Sequence, residues 1–144
     1  MGNTQSSAAA DGDRIARVGP NAITNPTTPL LLLAAPSIDA QPWRINGTLD
    51  ADHEESQINR LVENRSSGNQ SKHIVYYGLN STDTTPETQA RKLAKHGLVA
   101  SVYGGGLFEW ALLRELYGNT TYGLDNAGRD REALVDPLDF LPQH

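Results

Sequence analysis

The chain contains no cysteine among its 144 residues. This absence excludes disulfides, thiolate metal sites and every mechanism that uses a cysteine nucleophile. Basic residues are also few, because 12 Lys and Arg stand against 17 Asp and Glu and give a net charge of -5. These basic residues are scattered along the sequence, so phosphate backbones would repel the chain. Nucleic acid is therefore not a predicted partner.

Long apolar runs are missing as well. The longest apolar run spans residues 30–35, far short of the roughly 18 residues that a membrane helix needs. No basic segment precedes a secretory apolar region. The sequence therefore predicts a single domain that does not span a bilayer, is not secreted and lies in the cytoplasm.

Strand and helix signals alternate through the middle of the chain. Buried strands are indicated by short apolar or β-branched runs, and helices by apolar residues at a spacing of three and four. The predicted strands are 30–33, 73–77 and 98–103, the predicted helices are 52–65, 86–96 and 107–117, and residues 44–49 form either a brief strand or a turn. This order predicts an α/β domain with a small central parallel sheet flanked by helices. The last helix is apolar nearly all round, so we expect it to be mostly covered.

The chain divides into three parts. Residues 1–28 are rich in small and polar residues, and their only scattered apolar positions are Ile15, Val18 and Ile23. Three such residues are too few to offset the entropy of ordering the segment, which predicts a flexible, disordered N-terminal arm. The folded domain is predicted over residues 29–118, followed by a C-terminal extension over 119–144.

The first six residues, Met-Gly-Asn-Thr-Gln-Ser, fit the pattern for N-myristoylation of Gly2 after removal of Met1. One myristoyl chain gives only marginal membrane binding, with a partition constant on the order of 10⁴ M⁻¹. Neither a cysteine for palmitoylation nor a polybasic patch is present to strengthen it. The sequence therefore predicts weak, reversible contact with a cytoplasmic membrane face through the Gly2 myristate, or retention by a membrane-associated partner.

The segment from Ile74 to Trp110 carries a family resemblance. A strand ends at Gly78 before a polar loop and a helix, and the next strand runs into Gly105 and Gly106, with Trp110 four residues after the second glycine. This arrangement resembles the C-terminal half of a rhodanese homology domain. The fuller string 102–118 is similar to a divergent rhodanese-like branch found in protists and large DNA viruses. The resemblance implies a rhodanese-like fold over residues 29–118. It also implies a second possible location for the protein, as a component of a virion.

Gly78 is the main departure from that family. It matches the family's catalytic cysteine, which carries sulfur as a persulfide. Glycine has no side-chain atom that could hold the sulfur, and no other thiol exists in the chain. The family's Asp-Val-Arg-like end of the first strand is also replaced, by Leu33, Ala34 and Ala35. The resemblance therefore implies that the chain is not an enzyme but a rhodanese-like binding or scaffold module with an unknown protein partner.

The vestigial active-site loop, the 78–84 loop, allows an alternative. Its residues are Gly78, Leu79, Asn80, Ser81, Thr82, Asp83 and Thr84. The loop would lie between a strand end and a helix N-terminus, where free backbone N–H groups favour anions, although Asp83 opposes this. The alternative function is a small-anion sensor or a non-covalent enzyme.

A run of potential metal ligands occupies residues 52–55, Asp-His-Glu-Glu. Because these residues are nearly consecutive, their side chains point in different directions around a helix. Acidic residues in a first helical turn are instead favoured by the helix dipole. The sequence predicts neither a metal site nor a cofactor.

Overall fold

The computed structural model of the chain describes residues 15–64 and 70–125. In chain order its elements are β1 (Arg17–Val18), α1 (Asn21–Thr24), β2 (Leu30–Ala34), a 3₁₀ turn (Pro36–Ile38), β3 (Arg44–Ile45), α2 (Ala51–Asn64), β4 (His73–Tyr77), α3 (Thr85–Ala94), β5 (Ala100–Tyr103), α4 (Gly106–Tyr117) and β6 (Leu124–Asp125).

Four of these strands form one sheet in the order β1-β5-β4-β2. Every pairing in it is parallel. Strands β4 and β5 are interior, and helices lie between consecutive strands because a parallel connection needs a crossover. The prediction of an α/β domain with a central parallel sheet flanked by helices is confirmed.

The sheet is buried on both faces, and successive residues of β4 alternate between them. Ile74 and Tyr76 belong to one core cluster, on the side of α2 and α3. Val75 and Tyr77 belong to a second cluster, on the side of α4. The continuous apolar runs of the sequence therefore reflect burial on both faces, as is typical of parallel sheets.

The prediction of a flexible arm over residues 1–28 is wrong from residue 15 onward. Strand β1 pairs with β5, and Val102 donates its N–H to the Ala16 carbonyl at 2.9 Å. The three apolar residues of this segment all pack against the core. Ile15 packs against the cluster on the α2 and α3 side, and Val18 and Ile23 pack against the cluster on the α4 side. Their number is small, and backbone pairing with β5 adds to the contacts of these side chains. The arm's first 14 residues, Gly2 included, lie outside the described residues.

The boundary at residue 118 is also too early. Residues Leu124 and Asp125 form β6, which pairs antiparallel with β3 as a separate two-stranded sheet. Residues 44–49 therefore contain a brief strand, and that strand lies outside the parallel sheet. The hydroxyl of Tyr77 anchors it, accepting the Ile45 N–H at 3.1 Å and lying 2.7 Å from the Thr48 hydroxyl. The rest of the predicted extension, residues 126–144, lies outside the described residues.

Helix α4 is less covered than its composition predicts. Leu116 and Tyr117 are about 70% exposed, and Leu112 is exposed as well. Only one side of the helix meets the sheet, and the residues described here place nothing over the opposite side. None of the helices in the described ranges combines the length and the hydropathy that a bilayer crossing requires.

Candidate functional site

Gly78 lies at the carboxyl end of β4, an interior strand of the parallel sheet, and is buried. Ligand sites of open parallel sheets form at this edge, outside the carboxyl ends of the strands. The 78–84 loop continues from it into α3, and the sequence-predicted site residues of this loop therefore stand together at that edge.

The side chain of Asp83 fills the space beside Gly78. An ideal Cβ built on Gly78 would lie 2.7 Å from Asp83 Cγ, closer still to Asp83 Oδ2, and 3.0 Å from Cδ of Pro86. Real side chains do not approach so closely. A side chain at residue 78 and the present conformation of Asp83 therefore exclude each other.

Four groups donate hydrogen bonds to the Asp83 carboxylate. Its Oδ2 accepts the Leu79 N–H at 2.8 Å and a hydrogen bond from the Ser37 hydroxyl. Its Oδ1 accepts the Thr85 N–H at 2.9 Å and the Thr85 hydroxyl at 2.8 Å. Both oxygens thus bind one backbone N–H and one hydroxyl each, and the carboxylate closes the loop onto the first residue of α3.

These bonds set the charge state of Asp83. Partial burial raises the pKa of the carboxyl, but the hydrogen bonds it accepts, that from Ser37 first, lower the pKa by more. The pKa of Asp83 therefore lies below its ordinary value, because donors stabilise the ionised form. An internal negative charge occupies the loop at neutral pH.

The other loop residues make local contacts or face solvent. Asn80 Oδ1 accepts the Thr82 N–H at 3.0 Å and the Thr82 hydroxyl at 2.8 Å. Ser81 and Thr84 are exposed. This part of the loop is a self-contained turn.

The predicted Gly-Gly turn packs directly against the loop. Gly106 has a φ of 65°, and an ideal Cβ on it would lie 2.6 Å from the Gly78 carbonyl oxygen. This close approach lets Leu107 and Phe108 donate their N–H groups to the carbonyls of Gly78 and Leu79 at 2.9 and 2.8 Å. Glycine is required at residue 106 for both its backbone conformation and its space.

The neighbouring Gly105 leaves room for a side chain of α4. An ideal Cβ on Gly105 would lie 2.6 Å from Cβ of Glu109. Glu109 accepts the Tyr103 hydroxyl at 2.7 Å. Burial, and then this hydrogen bond, raises the pKa of Tyr103, so Tyr103 stays neutral and serves as a donor.

Trp110 is part of the core. It is 2% exposed, and its Nε1–H donates to the Gly123 carbonyl at 2.9 Å. Its ring packs edge-on against Tyr103 and Tyr122, with centroids 6.0 and 5.1 Å away. Trp110 therefore anchors the segment that leads to β6 and is not a ligand platform.

The loop geometry bears on the anion-binding alternative. The N–H groups of Leu79 and Thr85, which face the loop interior, are already bonded to Asp83. In the first turn of α4, the N–H groups of Leu107 and Phe108 are bonded to the carbonyls of Gly78 and Leu79. An external anion would have to displace the Asp83 carboxylate before it could use the N–H groups of Leu79 and Thr85.

Ser37 belongs to this site and is absent from the sequence predictions. It lies in the 3₁₀ turn after β2, and its hydroxyl oxygen is also 3.1 Å from the Thr85 hydroxyl oxygen. The signal available in the sequence is positional, because the carboxyl ends of neighbouring parallel strands meet at one edge. A polar residue just after the β2 run was therefore a candidate, but strand order had to be known first.

Within residues 15–64 and 70–125, no three side chains of His, Asp or Glu come together in a way that could hold a metal ion. Comparison of the chain with protein-family models, curated proteins and solved structures finds no match in any of the three.

Proposed function

We propose that the chain is a catalytically inactive rhodanese-like module that acts in binding or scaffolding. Its supports are the parallel sheet, Gly78 at the carboxyl end of an interior strand, and the Gly-Gly turn that leads into the helix bearing Trp110. Because the chain has no cysteine, a persulfide mechanism has no nucleophile.

One observation carries the proposal: the Asp83 carboxylate occupies the place of a side chain at residue 78. In a sulfur-transfer site this space would hold the thiolate, and the loop N–H groups would stabilise its negative charge. Here the same amides bind an internal carboxylate. The loop therefore keeps an anion-stabilising geometry but holds neither a nucleophile nor an open space for one.

We further propose that Gly2 is myristoylated and tethers the module weakly to the cytoplasmic face of a membrane or to a virion. The support is the motif at residues 1–6 and the absence of a second membrane signal in the sequence. Single acylation gives exchange rather than stable anchoring. A protein partner at the membrane would then determine where the module stays.

Sulfur transfer from thiosulfate tests the alignment of residue 78. The wild type should show no turnover, and Gly78→Cys should react poorly because Asp83 crowds the new side chain. In Gly78→Cys/Asp83→Ala, the thiolate should take the sulfane sulfur of thiosulfate and release sulfite, which intact mass reports as one added sulfur atom.

Ser81→Cys is the matched control, since it places a thiol at an exposed position of the same loop. The double variant should be sulfurated faster than this control, with folding of each variant checked by circular dichroism. Equal rates would contradict the assignment of residue 78 as the nucleophile position. Turnover by the cysteine-free wild type would contradict the inactive module itself.

Co-expression with an N-myristoyltransferase tests the tether. Intact mass should show acylated wild type and unmodified Gly2→Ala, and only the acylated chain should float with phosphatidylcholine vesicles, incompletely and reversibly. An unmodified Gly2 amine would remove the membrane proposal and leave the inactive module standing.

A further inference from the structure

A cleft of about 170 Å³ lies beside the 3₁₀ turn, and no residue of the 78–84 loop lines it. The carboxyl ends of β2 and β4 form its base, through Ala34 and Tyr76, and the first turn of α2 and the middle of α3 form its walls, through Glu54 and Gln89. It is large enough for a side-chain-sized group.

The polar groups of the cleft are mostly acidic. Asp39 and Glu54 supply two carboxylates, Tyr76 a hydroxyl and Gln89 an amide. Arg44 is the nearby cation, and its Nη1 donates to the Ile38 carbonyl at 2.9 Å. The lining of the cleft thus contains two carboxylates and no basic side chain.

The hydroxyl of Tyr76 points to a ligand. Tyr76 is 2% exposed, and among the described residues its hydroxyl has no hydrogen-bond partner. In the same residues no fully enclosed side-chain polar atom lacks a partner, so the hydroxyl must open onto the cleft that Tyr76 lines. A hydroxyl that has no partner in the protein and opens onto a cleft can bond to a polar group of a ligand there.

The protonation equilibria of the cleft agree with an excess of negative charge. Burial, and then the charge of Asp39, raises the pKa of Glu54, while Arg44 lowers it; the net direction is upward. Burial, and then the charge of Glu54, raises the pKa of Tyr76 to about 12. The negative charges of Asp39 and Glu54 thus repel each other, and Tyr76 stays protonated at neutral pH.

We propose that this cleft binds an organic cation through an ammonium or guanidinium head, held by the carboxylates of Glu54 and Asp39 and the hydroxyl of Tyr76. An N–H donor of the head satisfies the Tyr76 oxygen, and its positive charge offsets the two carboxylates. The cleft walls provide contacts for a short alkyl chain. The site is separate from the 78–84 loop, so the proposal does not rest on the rhodanese-like function.

Other ligand classes fit less well. Two carboxylates repel an anion of any kind. A metal ion is disfavoured because the described part of the chain brings together no group of three suitable ligands. The head group is common to free alkylamines and to Lys or Arg side chains of a protein partner, and separate experimental arms distinguish these sources.

Titrations followed by ¹H–¹⁵N correlation spectra test the proposal. The small-molecule probes are n-butylammonium and n-butylguanidinium, with butyrate as the charge-reversed control and sodium chloride at equal ionic strength. The peptide probe is a blocked Gly-Arg-Gly, with Gly-Gln-Gly as its neutral control. We expect saturable shifts at millimolar concentrations, confined to the amides around Glu54, Tyr76 and Gln89.

Three variants identify the groups responsible. Glu54→Gln should weaken binding about tenfold, and Tyr76→Phe about threefold to tenfold, as expected for the loss of one hydrogen bond of ordinary strength. Glu55→Gln is the matched control, because it removes the same charge from an exposed position of the same helix. It should change the affinity less than twofold.

Saturation by the alkyl probes alone indicates a free amine or guanidine ligand, and saturation by the Arg peptide indicates a side chain of a partner; either supports the proposal. Absence of saturable shifts with every cationic probe would overturn it. So would equal weakening by Glu54→Gln and Glu55→Gln, since binding would then depend only on net charge. The spectra of the free variants show whether each is folded.

Discussion

Replacing Gly78 with alanine tests whether Asp83 occupies the place of a side chain at residue 78. The added Cβ would lie 2.7 Å from Asp83 Cγ, so the carboxylate must swing away. It can do so only by giving up the N–H groups of Leu79 and Thr85 and the hydroxyls bonded to it. The hydroxyls can turn to other acceptors, but the two backbone donors cannot.

Each backbone donor left without an acceptor costs about 1–3 kcal/mol. Because the loop is partly open to solvent, the lower end applies, and Gly78→Ala should lower the free energy of unfolding by about 2–3 kcal/mol. Asp83→Ala loses the same bonds and should cost a similar amount. The double variant should cost only slightly more than Asp83→Ala alone, since the main obstacle to the new Cβ is gone and only Cδ of Pro86, 3.0 Å away, remains close. The coupling energy is therefore about 2 kcal/mol.

Urea denaturation followed by tryptophan fluorescence and circular dichroism measures all three free energies. Gly19→Ala is the control, because no atom lies within 4 Å of an ideal Cβ there and its φ is not positive. It should be neutral or stabilising by up to about 1 kcal/mol. A loss for Gly78→Ala as small as for Gly19→Ala, or single-variant losses that simply add in the double variant, would refute the reasoning.

Further predictions concern acid stability and packing. The lowered pKa of Asp83 contributes stability that is present above about pH 3.8 and is lost as pH falls through the lower folded-state pKa; Asp83→Asn should flatten this acid dependence of the urea midpoint, and an unchanged profile contradicts the assignment. Gly106→Ala should lower the free energy of unfolding by at least about 2 kcal/mol more than Gly47→Ala, because both glycines have a positive φ but, of the two, only Gly106 has backbone atoms within 4 Å of an ideal Cβ. Equal losses in thermal melts would mean that backbone strain alone explains the effect and that the close contact with the loop contributes nothing. Trp110→Phe should cost about 2–4 kcal/mol through the lost bond to the Gly123 carbonyl and the cavity left behind, and a loss below 1 kcal/mol would mean that Trp110 does not anchor this segment.

The sheet was predictable where local signals are strong. The β-branched and aromatic run 73–77 predicts a buried strand, and the structure has β4 over His73–Tyr77. Residues 15–24 were not predictable in the same way, because β1 is two residues long and depends on a partner, β5, more than 80 residues away. The pairing of Leu124 and Asp125 with β3 is likewise a non-local contact without a local signal.

The position of the 78–84 loop was predictable from the sequence, but its hydrogen bonds were not. The predicted strand 73–77 and helix 86–96 located the loop, and α3 begins one residue before the predicted helix. The bonds from the N–H and hydroxyl of Thr85 to the Asp83 carboxylate have no local signal in the sequence. The same is true of the bond from the Ser37 hydroxyl, which β2 and the turn after it bring to the same edge. The acidic cleft was not predicted for the same reason. In the sequence Glu54 is one of several acidic residues in a first helical turn, and only the folded sheet brings Tyr76 into the same cleft.

The contacts of Asp83 bear on the choice between two functions that the sequence left open: an inactive binding module and a small-anion sensor that uses the 78–84 loop. A carboxylate five residues from Gly78 is tethered to the loop amides, so its effective concentration there is at least millimolar and its binding costs little further ordering. An external sulfate or phosphate must displace it from its four hydrogen bonds and must approach a chain whose net charge is -5. The internal carboxylate therefore disfavours a small anion at this loop for the same reason that it stabilises the start of α3: it already accepts the N–H groups of Leu79 and Thr85.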